Sequence, residues 1–429
     1  MRISVVGSGY VGLITAAGFA EKAHNVLCVD IDERKVDMIN SKKPPIYEKG
    51  LAEILEHVVP GKLKATLDLE GSVLASEVTF ICVGTPSDDD GSINLEYVRE
   101  VSKEIGRILG RKRGYHVVVV KSTIIPGSTE KHVIPALERE SGKKAGKDFG
   151  VVMNPEFLRE GVAVEDFMNP DRIVIGSIDQ KGGDIIESIY YEFKSPVLRV
   201  NLKTAEMIKY TSNALLATKI SFINEVGNVC KKLEVDVYDV AKGVGLDHRA
   251  GPHFLNAGPG FGGSCFPKDV KALVHKAMEL GVKPRLLESV LEVNEQQPKT
   301  MLKLLKTKYK LKGMKVTVLG LAFKAGTDDV RESPALPIVR GLLKEGATVT
   351  AYDPQAMENC AQVLKGKIRY APTLKEALET SELAIILTEW DEFKTLDFSG
   401  MKKKRVFDSR HILKRDLAPA DIEYEGLCW

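Results

Sequence analysis

A chain of 429 residues, 44% hydrophobic and 28% charged, is expected to fold as two or three globular domains with sizeable cores. Its formal net charge of +2 excludes a general polyanion-binding surface, and Lys402-Lys403-Lys404-Arg405 reads as a solvated face, so no nucleic-acid partner is expected. No apolar run approaches the roughly 18 residues of a membrane helix, Met1–Val6 runs into a glycine loop unlike a signal peptide, and the six cysteines lack C-x-x-C spacing, which together read as a cytoplasmic protein with reduced thiols and no membrane partner.

Taken in chain order, Ile3–Val6, Val26–Val29, Val78–Val83, Val117–Val120, Val151–Met153 and Ile173–Ile175 predict buried strands. Helical periodicity runs over Gly12–Lys22 and Leu95–Leu109, and this alternation predicts a doubly wound parallel sheet. From Lys203 to Lys232 there is no proline and one glycine, Gly227, which predicts a single long helix that joins domains and offers a dimerisation face. A mixed helical stretch follows to Leu305. Near Lys315 the strand–turn–helix rhythm restarts, with strands at Val316–Leu319, Thr348–Tyr352, Leu383–Leu387 and Val406–Phe407 and a helix over Pro334–Leu343. The expected fold class is α/β, with two Rossmann-like sheets joined by a long helix and a helical middle. The expected domains are residues 1–202, 203–305 and 306–429. The last has only Gly320 where three glycines are expected, so two similar halves do not imply two dinucleotide sites.

Gly7-Ser8-Gly9-Tyr10-Val11-Gly12 follows the first strand and opens the first helix. The glycines serve a tight turn, close approach to a pyrophosphate and helix–strand packing, and the pyrophosphate rests on the helix N-terminus. Asp30 ends the second strand about 20 residues on, where a carboxylate accepts from ribose hydroxyls and repels a 2′-phosphate; NAD is therefore expected over NADP. Val83-Gly84-Thr85-Pro86-Ser87 and Lys121-Ser122-Thr123-Ile124 fall at strand C-terminal ends, the ligand edge of such sheets, although turn chemistry also explains Thr-Pro-Ser.

Asn154-Pro155-Glu156-Phe157-Leu158-Arg159-Glu160-Gly161 follows another strand end. If helical, it places Glu156 and Glu160 on one face, for proton chemistry or as an acidic helix start. Lys209 and Asn213, also four apart, can together hold an oxyanion or lie on a polar surface. Gly260–Asp269 frames Cys265 with glycines ahead of an apolar helical run from Val270. A thiol at a helix N-terminus is a nucleophile in waiting, with Asp269 one turn along, against the alternative of a buried structural cysteine. An NAD site with such a cysteine suggests alcohol-to-acid oxidation, because an aldehyde must form a tetrahedral adduct before a second oxidation.

The motifs at Gly7–Gly12, Val83–Ser87, Lys121–Thr129, Asn154–Gly161, Ala205–Glu225, Gly258–Asp269 and Leu319–Ala335 together resemble the UDP-glucose/GDP-mannose dehydrogenase family, in its order and over essentially the whole chain. Phe-Gly-Gly-Ser-Cys argues against the N-acetyl-sugar branch, which typically has a histidine before its cysteine. The resemblance implies oxidation of UDP-glucose to UDP-glucuronate with two NAD and one water, GDP-mannose or another nucleotide sugar being the alternative substrate. It implies Cys265 as nucleophile, Lys209 and Asn213 on the oxyanion, Glu156 activating water, and Asp269 with Thr123 positioning a water. NAD would be held by Gly7, Gly9, Tyr10, Val11, Gly12, Asp30, Lys35, Thr85, Pro86, Ser122, Thr123, Glu160, Cys265, Lys268 and Arg331. The UDP-sugar would meet Glu156, Phe157, Leu158, Arg159, Lys209, Asn213, Arg249, Asn256, Gly260, Phe261, Gly262, Phe323, Lys324 and Arg410. The middle residue of Asp408-Ser409-Arg410 is more commonly glycine, which bears on the last of these. A homodimer through the long helix is implied, and no metal.

Overall fold

The computed structural model describes residues 1–413 and 421–429, and the chain divides into two compact units, Met1–Ser212 and Asn213–Trp429. In the first unit, eight strands form one sheet: β1 (Arg2–Val6), β2 (Asn25–Val29), β3 (Leu63–Thr66), β4 (Val78–Ile81), β5 (Val117–Val120), β6 (Gly150–Met153), β7 (Ile173–Ser177) and β8 (Val197–Val200). Their order is β3-β2-β1-β4-β5-β6-β7-β8. Every residue of β5 is fully buried, as expected of a strand covered on both faces.

Two expectations need correction. The run Val78–Val83 ends as a strand at Ile81, because the chain turns there into the ligand-edge loop. The sheet is not parallel throughout: β6 and β7 pair antiparallel, Val152 facing Ser177 and Met153 facing Gly176, while β7 and β8 are parallel. A parallel crossover needs a helix lying back along the sheet. The helix available here, Ala163–Met168, is only six residues long, and Phe167 is held against Gly18 of the first helix. The strands β3 and β8 escape sequence reading because they are edge strands without continuous apolar runs; β8 is exposed at Val197 and Leu198.

The boundary between units falls within a helix of 32 residues, Leu202–Leu233, about 48 Å long at 1.5 Å per residue. The second unit continues with helices Val237–Gly245, Phe266–Glu279 and Arg285–Lys308, the last running past the expected Leu305. It closes with β9 (Lys315–Leu319), β10 (Thr348–Tyr352), β11 (Arg369–Tyr370), β12 (Leu383–Ile386), β13 (Arg405–Asp408) and β14 (Glu423–Gly426). Their order, β11-β10-β9-β12-β13-β14, repeats that of the first six strands, and all neighbours are parallel. The fold is thus α/β, with two Rossmann-like sheets and a helical region between them in sequence. In each sheet the order reverses beside the first strand, which opens a crevice at the strand C-terminal ends.

Candidate active site

In the first unit that crevice holds the glycine loop. Gly7 has φ +97°, and a Cβ there would lie 2.8 Å from the Cys82 carbonyl oxygen; one on Gly12 would lie 1.8 Å from the Gly7 oxygen. Nothing lies within 4 Å of the Cβ position of Gly9, so the open side of the loop is at the helix start. The helix Tyr10–Glu21 begins there with no side-chain cap on its first amides. This is the cradle a pyrophosphate requires.

Asp30 follows β2 and accepts from the Ser8 amide at 2.7 Å, the Ser8 hydroxyl at 2.6 Å and the Asp32 amide at 2.9 Å. Burial alone would raise its pKa, but these bonds and the charge of Lys35 outweigh burial and hold it below the usual carboxylate value. The carboxylate is ionised and aimed, as ribose recognition demands. Tyr10 is committed elsewhere: its hydroxyl donates to Glu48, and the Gly161 amide donates to it at 3.0 Å. Val11 is half-buried and Pro86 exposed beside the loop. Thr85 Oγ1 donates to the Thr123 carbonyl at 2.8 Å and Ser122 Oγ to the Val83 carbonyl at 2.7 Å, which locks the two strand-end loops together. These residues fit NAD.

Beside this loop, residues 154–159 are irregular and not helical, so Glu156 and Glu160 do not share a helix face. Asn154 continues β6 by donating its amide to the Val120 carbonyl, Pro155 cannot donate, and Glu156 Oε2 takes the Leu158 amide at 2.6 Å. Glu156 Oε1 lies 2.8 Å from Lys209 Nζ, and the two side chains are 5% and 3% exposed. Burial would raise the Glu156 pKa, yet the charge and hydrogen bond of Lys209, the Leu158 amide and the charge of Lys121 keep it low. Phe157 lies under the Arg172 guanidinium, 3.8 Å from the ring centroid, with Lys209 Nζ at 5.6 Å. Leu158 and Glu160 are half-buried, and Arg159 is exposed and paired with Asp166 at 2.6 Å.

In the second unit, Cys265 is the N-cap of the helix Phe266–Glu279 and only partly buried. Its carbonyl accepts from the Asp269 amide at 2.8 Å, the expected single turn. Asp269, 1% exposed, takes Asn213 Nδ2 at 2.6 Å on one oxygen and Lys268 Nζ at 2.6 Å on the other. Lys209 and Asn213, one turn apart on the long helix, therefore each engage a different buried carboxylate within their own unit.

The loop before the cysteine is held by two residues that sequence reading missed. Asn294 accepts from the Phe261 amide at 2.7 Å and donates to its carbonyl at 3.0 Å, while Asn224 accepts from the Gly258 amide at 2.8 Å. Their signal was only an asparagine within each of two helices. A Cβ on Gly260 would lie 2.8 Å from Asn294 Oδ1, and one on Gly262 2.3 Å from the Glu332 carbonyl oxygen. Arg249 and Asn256 are exposed, Arg249 pairing with Asp247 at 2.6 Å. Arg331 pairs with Asp329 at 2.7 Å. Lys324 Nζ is 5.9 Å from the Phe323 ring centroid, and Arg410 donates to the Leu387 carbonyl at 2.8 Å and to that of Phe323 at 3.4 Å. Ser409 spends its hydroxyl on the Ile386 carbonyl at 2.6 Å, so it is accommodated without displacing Arg410.

The second sheet keeps one glycine of the fingerprint, Gly320, with φ +95°. Asp353, which follows β10 as Asp30 follows β2, is fully buried and takes five donors: the amides of Leu321, Ala322, Gln355 and Ala356, and Trp390 Nε1. It has no lone pair left to offer a ribose.

Comparison with known proteins agrees with this arrangement. The NAD binding domain of the UDP-glucose/GDP-mannose dehydrogenase family matches residues 1–194, its central domain residues 203–296, and its UDP binding domain residues 317–415. The UDP-glucose 6-dehydrogenase AglM of Haloferax volcanii is 44% identical, with 100% of both chains covered, and the GDP-mannose 6-dehydrogenase of Pseudomonas putida is 38% identical at the same coverage. The solved UDP-glucose dehydrogenase of Pyrobaculum islandicum has a TM-score of 0.94 at 43% identity, covering 100% of this chain and 97% of that one. With all three of the family's domains matched in order and a relative 44% identical over its full length, this chain belongs to the UDP-glucose/GDP-mannose dehydrogenase family, as an NAD-dependent oxidoreductase acting on a nucleotide sugar.

Proposed function

We propose that the chain oxidises UDP-glucose to UDP-glucuronate through a covalent intermediate on Cys265. The observation that carries this reading is the cysteine at an uncapped helix start, inside a glycine loop clamped by Asn224 and Asn294. The relatives named for UDP-glucose are also more similar than those named for GDP-mannose, at 42–44% against 38–39%. We assign the NAD site to Gly7, Gly9, Gly12, Asp30, Lys35, Thr85, Ser122, Thr123, Glu160, Lys268 and Arg331. The UDP-sugar is assigned to the residues 156–159, Arg249, Asn256, the loop 260–262, Phe323, Lys324 and Arg410. Residues 1–202 then serve the cofactor, 203–305 the reacting carbon and self-association, and 306–429 the nucleotide.

NAD supplies the two-electron acceptor for each of two oxidations. The chain's own work lies around them. A water positioned by Asp269 and Thr123 takes the C6 hydroxyl proton as the alcohol becomes an aldehyde. The Cys265 sulfur bonds to the aldehyde carbon, giving a thiohemiacetal whose oxygen is stabilised by Lys209 and Asn213. Loss of its carbon-bound hydrogen with two electrons leaves a thioester. Glu156, ionised in its buried site, takes a proton from water; the water oxygen bonds to the thioester carbon, the carbon–sulfur bond breaks, and thiolate and acid are released.

We read the enzyme as a homodimer through the long helix. Leu215, Phe222 and Val229 recur every seven residues along it and are 59%, 56% and 55% exposed, an apolar stripe suited to a second copy. Among the described residues no cysteine is in a disulfide, which supports a reducing compartment, the cytoplasm.

The test is parallel assay of UDP-glucose, GDP-mannose and UDP-N-acetylglucosamine. UDP-glucose should give two NADH per sugar with no free aldehyde; one NADH with aldehyde released overturns the mechanism. Intact mass of Glu156→Gln mixed with UDP-glucose and NAD should show a sugar adduct on Cys265. Cys265→Ser should form no thioester, and its turnover should fall by roughly three orders of magnitude or more at little cost in substrate binding.

A further inference from the structure

Lys121, just past β5, is 4% exposed. Its ammonium donates to Asn154 Oδ1 at 3.1 Å, to the Asn154 carbonyl at 3.5 Å and to the Tyr190 hydroxyl at 3.4 Å. Tyr190 in turn donates to Asn154 Oδ1 at 2.6 Å, and Asn154 Nδ2 donates to the Val174 carbonyl at 2.9 Å. Every polar atom touching the ammonium is fixed, and none is charged. A buried ammonium without a carboxylate against it is strongly unfavourable, and a methionine would fill the same space without that cost.

Burial lowers the Lys121 pKa to about 8, Cys82 and Glu156 pulling upward and Lys209 adding to the lowering. Burial pushes the Cys82 thiol up to about 12, so that it is neutral near pH 7. Glu156 is then the anion that answers Lys121. It stands two residues beyond Asn154, across the rigid Pro155. With Lys209 bonded to Glu156 and the charge of Lys121 also acting on it, one buried carboxylate answers two ammonium groups, and the cluster carries one positive charge in excess.

That excess matters when Lys209 turns to an oxyanion. A buried carboxylate that loses its ion-pair partner takes up a proton and ceases to be a base. We propose that Lys121 is a positioning residue for thioester hydrolysis: through Asn154 it fixes the backbone carrying Glu156, and its charge keeps Glu156 ionised while Lys209 serves the oxyanion. The inference rests on the reading of Glu156 as the hydrolytic base.

Full-length Lys121→Met and Lys121→Gln enzymes, mixed with UDP-glucose and NAD, test it by steady-state kinetics and intact mass. Lys121→Gln keeps an amide donor near that position while removing the charge, so it also serves if the methionine variant fails to fold. Both should lose about 10- to 100-fold in kcat, with KM for either substrate changed less than about threefold. Both should accumulate the Cys265 adduct, which a merely structural lysine would not produce. Parent turnover in Lys121→Gln overturns the inference, as does slow turnover without adduct while Glu156→Gln accumulates it. Absence of the adduct in Glu156→Gln as well overturns the reading of Glu156 and this inference with it.

Discussion

In the proposed NAD site, one carboxylate, Asp30, would set cofactor choice. Its oxygens are already oriented by Ser8 and Asp32, so a ribose bearing two hydroxyls gains acceptors at no cost in reorganisation, and a 2′-phosphate meets a fixed negative charge. The loss should be about 2 kcal/mol, so kcat/KM should favour NAD over NADP by about 30-fold or more. Asp30→Ala should narrow that ratio in kinetics run with both cofactors, and equal efficiency in the parent enzyme would refute the assignment. The position of this residue was legible because it follows from the distance to the glycines. Asn224, Asn294 and Lys121 were not: each acts on a neighbour far away in sequence, and nothing in the local pattern of a helix or strand end marks such a partner.

From β1 across β4 to the residue before β5 runs a rail of buried polar side chains. Ser4 Oγ meets Thr79 Oγ1 at 2.7 Å, and Thr79 Oγ1 meets His116 Nε2 at 2.8 Å. Burial, helped by the charge of Lys112, lowers the His116 pKa from 6.5 to about 3. The folded state therefore keeps this histidine neutral while the unfolded chain protonates it below pH 6.5. Between those values the unfolded state binds more protons, so stability present above pH 6.5 is lost as pH falls toward about 3, at up to about 1.4 kcal/mol per pH unit. Denaturant melts should show that slope, and His116→Gln should flatten it; an unchanged slope would place the acid sensitivity elsewhere. The long helix makes a second prediction at this scale. Phe222→Arg places a charge in the middle of the exposed stripe, and sedimentation should then report monomer where the parent reports dimer; a dimeric variant would move the interface off this helix. Central strands and long helices were readable from period and length. The antiparallel pairing of β7 with β6 was not, since the short helix between them, whose Phe167 packs on Gly18 far away in the chain, carries no signal of direction.

At the scale of the molecule, the same six-strand order appears twice with different chemistry at its reversal point. The missing glycines foretold that difference, but its completeness shows only in Asp353, whose five donors tie the loops after β9, β10 and β12 to one carboxylate. Among the described residues, the open glycine cradle thus occurs once. The proposed reaction consumes two equivalents of cofactor, and a chain with one place to put them would spend them in turn. Spent cofactor would have to leave, and fresh cofactor arrive, while a half-oxidised sugar waits. Retention of the intermediate then governs yield as much as the chemistry governs rate, and a bond to sulfur is the surest form of patience.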